Sequence, residues 1–178
     1  MFIDQFKAQL PNGGARPNHF RIELISPIGN LTSDKVELLC KAASLPATTI
    51  NDIPVMYRGR AVHVAGEQSF QPWTVTIINA DDFHARTVLE QWSDLIQNYD
   101  KTNGVKNVES YVRDLTVNQL DRNDNPLYTY IFRNAYPVNV SEIQLTYDTP
   151  NTVEEFQVTF IYDYYKPSGV FGGLGNAT

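Results

Sequence analysis

Three histidines, one cysteine and two adjacent glutamates are the residues through which this chain could most readily do chemistry. Their spacing argues against it. His19, His63 and His84 lie far apart, and only His84 stands beside acids, in Asp81-Asp82-Phe83-His84. Two carboxylates before a helix are explained more simply as an N-cap and as partners for the positive end of the helix dipole. Glu154 and Glu155 are consecutive on a strand pattern, so they point to opposite faces and cannot act as an acid/base pair on one bond. Cys40, in KVELLCKA, reads as a small buried apolar residue. The sequence carries no phosphate loop with its lysine, no GxSxG elbow and no HExxH pair. GVFGGLGNAT is glycine-rich but opens no helix that could present amides to a phosphate. The expectation is a chain with no catalytic residue, no cofactor and no metal.

Charge placement is more informative than any motif. Between residues 141 and 165 stand Glu142, Asp148, Glu154, Glu155 and Asp163 with no lysine or arginine, whereas residues 41 to 66 carry Lys41, Arg58 and Arg60 against Asp52 alone. Uneven solvated surface is one reading. Head-to-tail association of copies, basic segment against acidic surface, is the other. A net charge of -6 disfavours a nucleic-acid reader with a basic footprint.

The elements that would hold these residues are mostly strands. At 178 residues with 12% aromatics, the chain is long enough for one well-buried domain and is biased towards β-structure. HFRIELIS places Phe20, Ile22 and Leu24 on one face; KVELLCKA places Val36, Leu38, Cys40 and Ala42 inward, and the two together suggest a meander. From about 43 to 66 runs an excursion broken by Pro46 and Pro54, residues that cannot donate to a ladder. Within it Val62 and Val64 alternate with His63, and Gly66 suits a bulge or turn. WTVTIIN then puts Trp73, Val75 and Ile77 on one face. Over about 82–98 the apolar positions Ala85, Val88, Leu89, Trp92, Ile96 and Tyr99 recur at threes and fours, which predicts the one helix. YVRDLTVNQLD and LYTYIFRNA flank the turn signal RNDN as a hairpin. SEIQLTYD, with Ile143, Leu145 and Tyr147, and EEFQVTFIYDYY, with Phe156 to Tyr164, close the pattern as strands. About eight strands with a flanking helix make a mainly β fold, a small antiparallel barrel or sandwich, over 1–166; residues 167–178 read as a glycine-rich tail. The opening MFIDQF carries an early acid and no continuous apolar core, unlike a secretory signal, and no stretch is apolar enough to span a membrane.

The order and wording of these segments carry a likeness. ARPNHF entering the first strand, CKAASLP followed by INDIPV, YRGRAVHVAG, EQSFQPWTVTIIN running into the acidic helix start, AYPVNVSEIQLTYD and EEFQVTFIYDYY together resemble the tail tube proteins of contractile-tailed phages, over most of residues 15 to 165. The resemblance implies a β-barrel with a flanking helix that assembles as a homo-oligomer, in hexameric rings stacked into a tube through which genomic DNA passes without sequence-specific binding. It implies a tail sheath protein, a baseplate or tube initiator and a lumenal tape measure protein as partners, and a place in the virion after assembly in the host bacterial cytoplasm. The excursion matches the family's segment for contacts between subunits and rings, with Pro46, Ile50, Ile53, Pro54, Arg58 and Arg60 as interface residues. Glu155, Gln157, Thr159 and Asp163, opposite the apolar face of the last strand, are the candidates to face the lumen. Two alternatives stay open: a tube subunit of a phage-derived contractile injection system, and a monomeric ligand-binding β-barrel.

Overall fold

A computed structural model of the protein describes residues 2–9, 14–28, 39–101, 103–148 and 152–169. In chain order they form α1 (Phe2–Gln9), β1 (Phe20–Glu23), β2 (Cys40–Ala43), β3 (Thr48–Tyr57), β4 (Arg60–Phe70), β5 (Trp73–Ile78), α2 (His84–Ile96), β6 (Arg113–Leu120), β7 (Pro126–Val140), β8 (Glu155–Ile161) and β9 (Tyr164–Gly169), with one 3-10 turn at Val108–Ser110. The architecture is mainly β, as the alternation predicts. Among the described residues no helix is long and apolar enough to cross a membrane.

The largest sheet runs β1-β6-β7-β8-β5-β2, and β9 also pairs with β7; every pairing is antiparallel. Strand β7 is its spine. It pairs with β6 and β9 through its first half and with β8 through its second, and Arg133↔Tyr164 and Tyr136↔Ile161 share one register. EEFQVTFIYDYY is therefore one path along β7, interrupted at Tyr162 and Asp163. Two contacts pin this bend: Asn134, at φ 55°, donates its side-chain amide to Asp163 at 2.6 Å, and the Asp163 N–H donates to the Arg133 carbonyl at 3.1 Å. The bend ends the alternation, so Tyr162 is buried while Tyr164 turns outward, against the expectation that one apolar face continues to Tyr164. Strand β9 continues through Gly169, three residues into the stretch expected to be tail; residues 170–178 lie outside the described residues.

The core forms where period-two faces of the sheet meet the stripe of α2. Trp73, Val75 and Ile77 of β5 and Phe156, Val158 and Phe160 of β8 are buried together with Ile22, Leu115, Phe132 and, from α2, Ala85, Val88, Leu89 and Trp92. Trp73 stacks on Phe132 with ring centroids 4.5 Å apart and donates its indole N–H to the Ser44 carbonyl at 2.8 Å, so burial leaves its one polar atom satisfied. The helix begins after Asp82, whose carboxylate accepts the His84 N–H at 3.1 Å. It ends at Ile96, short of Tyr99, which is exposed outside the apolar stripe.

The hairpin of β6 and β7 forms as expected. Asp121 closes its turn, accepting the N–H groups of Asn125 at 2.9 Å and Asn123 at 2.6 Å; these bonds, that of Asn125 first, hold its carboxyl below the usual carboxylate range. Three other expectations change. β1 and β2 are not a meander: β1 pairs with β6 and β2 with β5. A register shift in β2 between Cys40 and Ala42 flips the alternation, so Ala42 is exposed and Ala43 packs on the core; Val36 and Leu38 lie outside the described residues. Ser141–Asp148, SEIQLTYD, is not a strand: among the described residues no strand pairs along it. Ile143 alone packs on the core, while Leu145 and Tyr147 are exposed.

Candidate interaction surface

The excursion of 43–66 folds as a separate two-stranded ribbon. Among the described residues β3 and β4 pair only with each other, from Thr48↔Phe70 at the base to Tyr57↔Arg60 at the tip. The tip is a two-residue turn with Arg58 at φ 48° and Gly59 at φ 82°, the left-handed pair that matches the twist of a tight hairpin. Near its middle the ribbon carries a bulge: Ile50 pairs with Gln68 and Asp52 with Ala65, so β4 has one residue more. Gly66 sits there because a Cβ would come 2.9 Å from the Asn51 carbonyl oxygen and 3.0 Å from Ile53 Cγ1. Pro54 is tolerated because each strand of an isolated ribbon has an unpaired edge.

The ribbon is tied down only at its base. Phe70 makes ring contacts with Tyr162 and Tyr165, and the Thr48 and Tyr165 hydroxyls hydrogen-bond. Beyond that point it stands in solvent, and every residue of β3 is exposed.

Alternation and register divide the ribbon into two faces. One carries Ile53, Val55, Val62 and Val64 with Tyr57 and Arg60 towards the tip; the other carries Asp52, Pro54, Met56 and His63, with Ile50 on the same side of β3. The polar face has its own pairing, His63 Nδ1 to Asp52 Oδ2 at 2.6 Å. The apolar face has none: its four aliphatic residues are each about half exposed, between 49% and 53%. The Arg58 guanidinium lies 5.4 Å from the Tyr57 ring centroid, and among the described residues neither Arg58 nor Arg60 meets a carboxylate. Such a surface can do no chemistry on a bond. It can bind another apolar surface and fix its orientation with charge.

Of the six residues singled out from sequence, the structure gathers Ile50, Ile53, Pro54, Arg58 and Arg60 on the ribbon and leaves Pro46, half-buried, just before it. Ile53 faces away from Ile50 and Pro54. Val62 and Val64, read from sequence only as alternating with His63, are exposed on the ribbon's apolar face; Val55 and Tyr57 were not singled out at all. An alternating run between two prolines and an Arg-Gly-Arg turn was the available signal.

The other candidates lie on β8. Glu155, Gln157 and Thr159 share the face opposite Phe156, Val158 and Phe160, beside Thr74 and Thr76 of β5. Thr159 and Thr74 hydroxyls lie 3.2 Å apart, and Glu155 accepts from Lys41 Nζ at 2.5 Å. Asp163 is not on this face; it sits in the bend, bonded to Asn134. Cys40 is half-buried below β5, and burial pushes its thiol up to about 12.

Comparison with known proteins agrees with this geometry. The model of the phage tail tube protein family matches residues 15–168. The chain is 34% identical over 170 residues to the tail tube protein gp19 of Enterobacteria phage T4, covering 93% of this chain and 100% of that one. It is 23% identical over 165 residues to the tail tube protein of Serratia phage KSP90, covering 90% and 93%. In fold it is similar to a chain of the six-fold symmetrised anti-feeding prophage baseplate, with a TM-score of 0.66 at 13% identity over 89% of this chain and 97% of that one. The ribbon, the seven-strand body and the sequence match converge: the chain belongs to the phage tail tube protein family.

Proposed function

We propose that this protein is the repeating subunit of the inner tube of a contractile phage tail, a virion component in which copies associate through the β3–β4 ribbon into stacked hexameric rings. The single observation that carries the reading is the ribbon's apolar face, held out in solvent away from the core of the described residues. Four half-exposed aliphatic side chains in one strip cost free energy in an isolated molecule, and covering them by a neighbouring copy removes that cost. The rotation that closes such heterologous contacts makes a ring, and repetition along the axis makes a tube. Pro46, Ile50, Ile53, Pro54, Arg58 and Arg60 lie at or beside this contact, with Val55, Val62 and Val64 added by their exposure.

The lumen is lined by the polar face of β5 and β8: Glu155, Gln157, Thr159, Thr74 and Thr76. Hydroxyls, amides and a carboxylate make up the face, and the one cation beside them, Lys41, is neutralised by Glu155, so duplex DNA finds little cationic footing and the genome passes without sticking. Asp163 adds a further carboxylate at the bend. A sheath protein surrounds the tube, a baseplate initiator nucleates it, and a tape measure protein occupies the channel before ejection; assembly takes place in the host cytoplasm. The role is structural, without catalysis or cofactor.

Negative-stain electron microscopy of the purified protein over a range of concentrations, with solution mass measured on the same samples, tests the reading. Rings or tubes with an open channel are expected. Arg58→Glu with Arg60→Glu is expected to leave the monomer folded, since both residues lie at the exposed turn, and to suppress those assemblies. A wild-type protein that stays monomeric at every concentration would sink the proposal.

A further inference from the structure

Where β5 gives way to α2, Asn79, Asp81, Phe83, Val153 and Glu154 surround an open cleft of about 310 Å³. Asn79 is its most buried member, only 7% exposed. Its backbone N–H donates to the Glu154 carbonyl at 2.8 Å and its side-chain amide to Glu154 Oε2 at 2.9 Å, which fixes the side chain. Its other side-chain atom, Oδ1, is buried with no hydrogen-bond partner, the one such side-chain atom among the described residues. Native proteins rarely leave a buried acceptor unmet, so this one asks for a donor from outside the chain.

The surroundings say which donor. Asp82 is engaged by the His84 N–H at the start of α2, but Asp81 and the Glu154 carboxylate stand at the cleft and give it negative charge. At the rim Phe83 holds φ 50°, a conformation that is a true outlier for a bulky residue and that clusters at functional positions. That backbone leaves the ring 46% exposed. An acceptor below, carboxylates at the side and an aromatic ring at the rim suit a guanidinium, which brings five donors and a flat cationic face. The same chain supplies guanidiniums at the ribbon tip, Arg58 and Arg60, that meet no carboxylate among the described residues.

We infer that the cleft at Asn79, Asp81 and Glu154 receives the Arg58–Arg60 tip of a second copy of this chain. The inference rests on the assembly proposed above and names the surface its ribbon meets. It explains why the basic and acidic ends of the sequence are segregated: each is half of one contact.

Charge exchange tests it. Three proteins are made: Arg58→Glu/Arg60→Glu, Asp81→Arg/Glu154→Arg, and the combination of all four. Thermal melts establish which are folded, and Asp81→Arg with Arg60→Glu serves if reversal at Glu154, which anchors Asn79, prevents folding. Assembly is read as the protein concentration at which half the material pellets as tubes. Each reversal alone is expected to raise that concentration at least about tenfold, as loss of a desolvated charge pair does, and the combination to restore most of it. If wild-type protein forms tubes while the combination is no better than either reversal, or if the Asp81 and Glu154 reversal assembles like wild type, the cleft is not the receptor and the assembly reading stands. If wild-type protein forms no tubes, both fall together.

Discussion

At the scale of single residues, Trp73 illustrates how composition becomes stability. Its indole is 1% exposed, stacked on Phe132 and bonded to the Ser44 carbonyl. Trp73→Ala removes the packing, opens a cavity and orphans the carbonyl, so urea denaturation is expected to show a loss of about 3–5 kcal/mol. Cys40 gives a second expectation. Burial holds its thiol to about 12, so at pH 8 a maleimide should modify the native chain at least about tenfold more slowly than the urea-unfolded chain. The sign for stability follows: the folded chain keeps a proton that the unfolded chain releases near 9, so this residue's contribution is intact below that pH and declines as pH rises towards 12. Asp121 runs the other way. Its turn hydrogen bonds favour the carboxylate, so their contribution is present above the ordinary carboxylate pKa and fades as acid titrates the folded form; a carboxyl NMR titration should place its midpoint below 3.8. The core tryptophan could be read from alternation; Cys40, read as buried, is half-buried where a register shift breaks the pattern. Asn79 could not be read at all, because an orphaned acceptor exists only once Glu154 folds beside it.

Elements were legible in proportion to how many neighbours they pack against. Strand β5, strand β8 and helix α2 each present a buried face to several others, so their periodicity survives into the structure. The ribbon shows the same period with no partner sheet among the described residues, and alternation alone cannot tell a core face from an exposed one. Ser141–Asp148 shows the remaining failure, a strand-like pattern along which no strand pairs among the described residues. Helix α1 was missed for a related reason: its Phe2, Ile3 and Phe6 are exposed, so no apolar stripe had to match a core. The ribbon's independence is testable through Gly66→Ala. The added Cβ must displace the Asn51 carbonyl, and faster amide exchange across β3 and β4 is expected while the melting temperature of the body barely moves. A large melting shift would mean that ribbon and body fold as one unit.

For the molecule as a whole, the division is between a body that satisfies itself and a ribbon that does not. Val62→Asp with Val64→Asp should therefore raise solubility and abolish tubes without lowering the melting temperature, since neither side chain touches the core. Each valine is already half-buried and alanine keeps one methyl, so covering the remainder is worth under about 1 kcal/mol per residue, and the double truncation to alanine should raise the half-assembly concentration several-fold. The ribbon's length has a mechanical consequence. Ten residues of β3 at roughly 3.3 Å each reach about 30 Å from an anchored base, a span comparable to the width of a small domain. A lever of that reach turns a few degrees of rotation at the base into about 2 Å at the tip, enough to unseat a packed contact, so a subunit whose tip is seated cannot twist freely about its neighbour. Torsional stiffness of the tube would then reside in these splints, leaving the barrel walls free of that load.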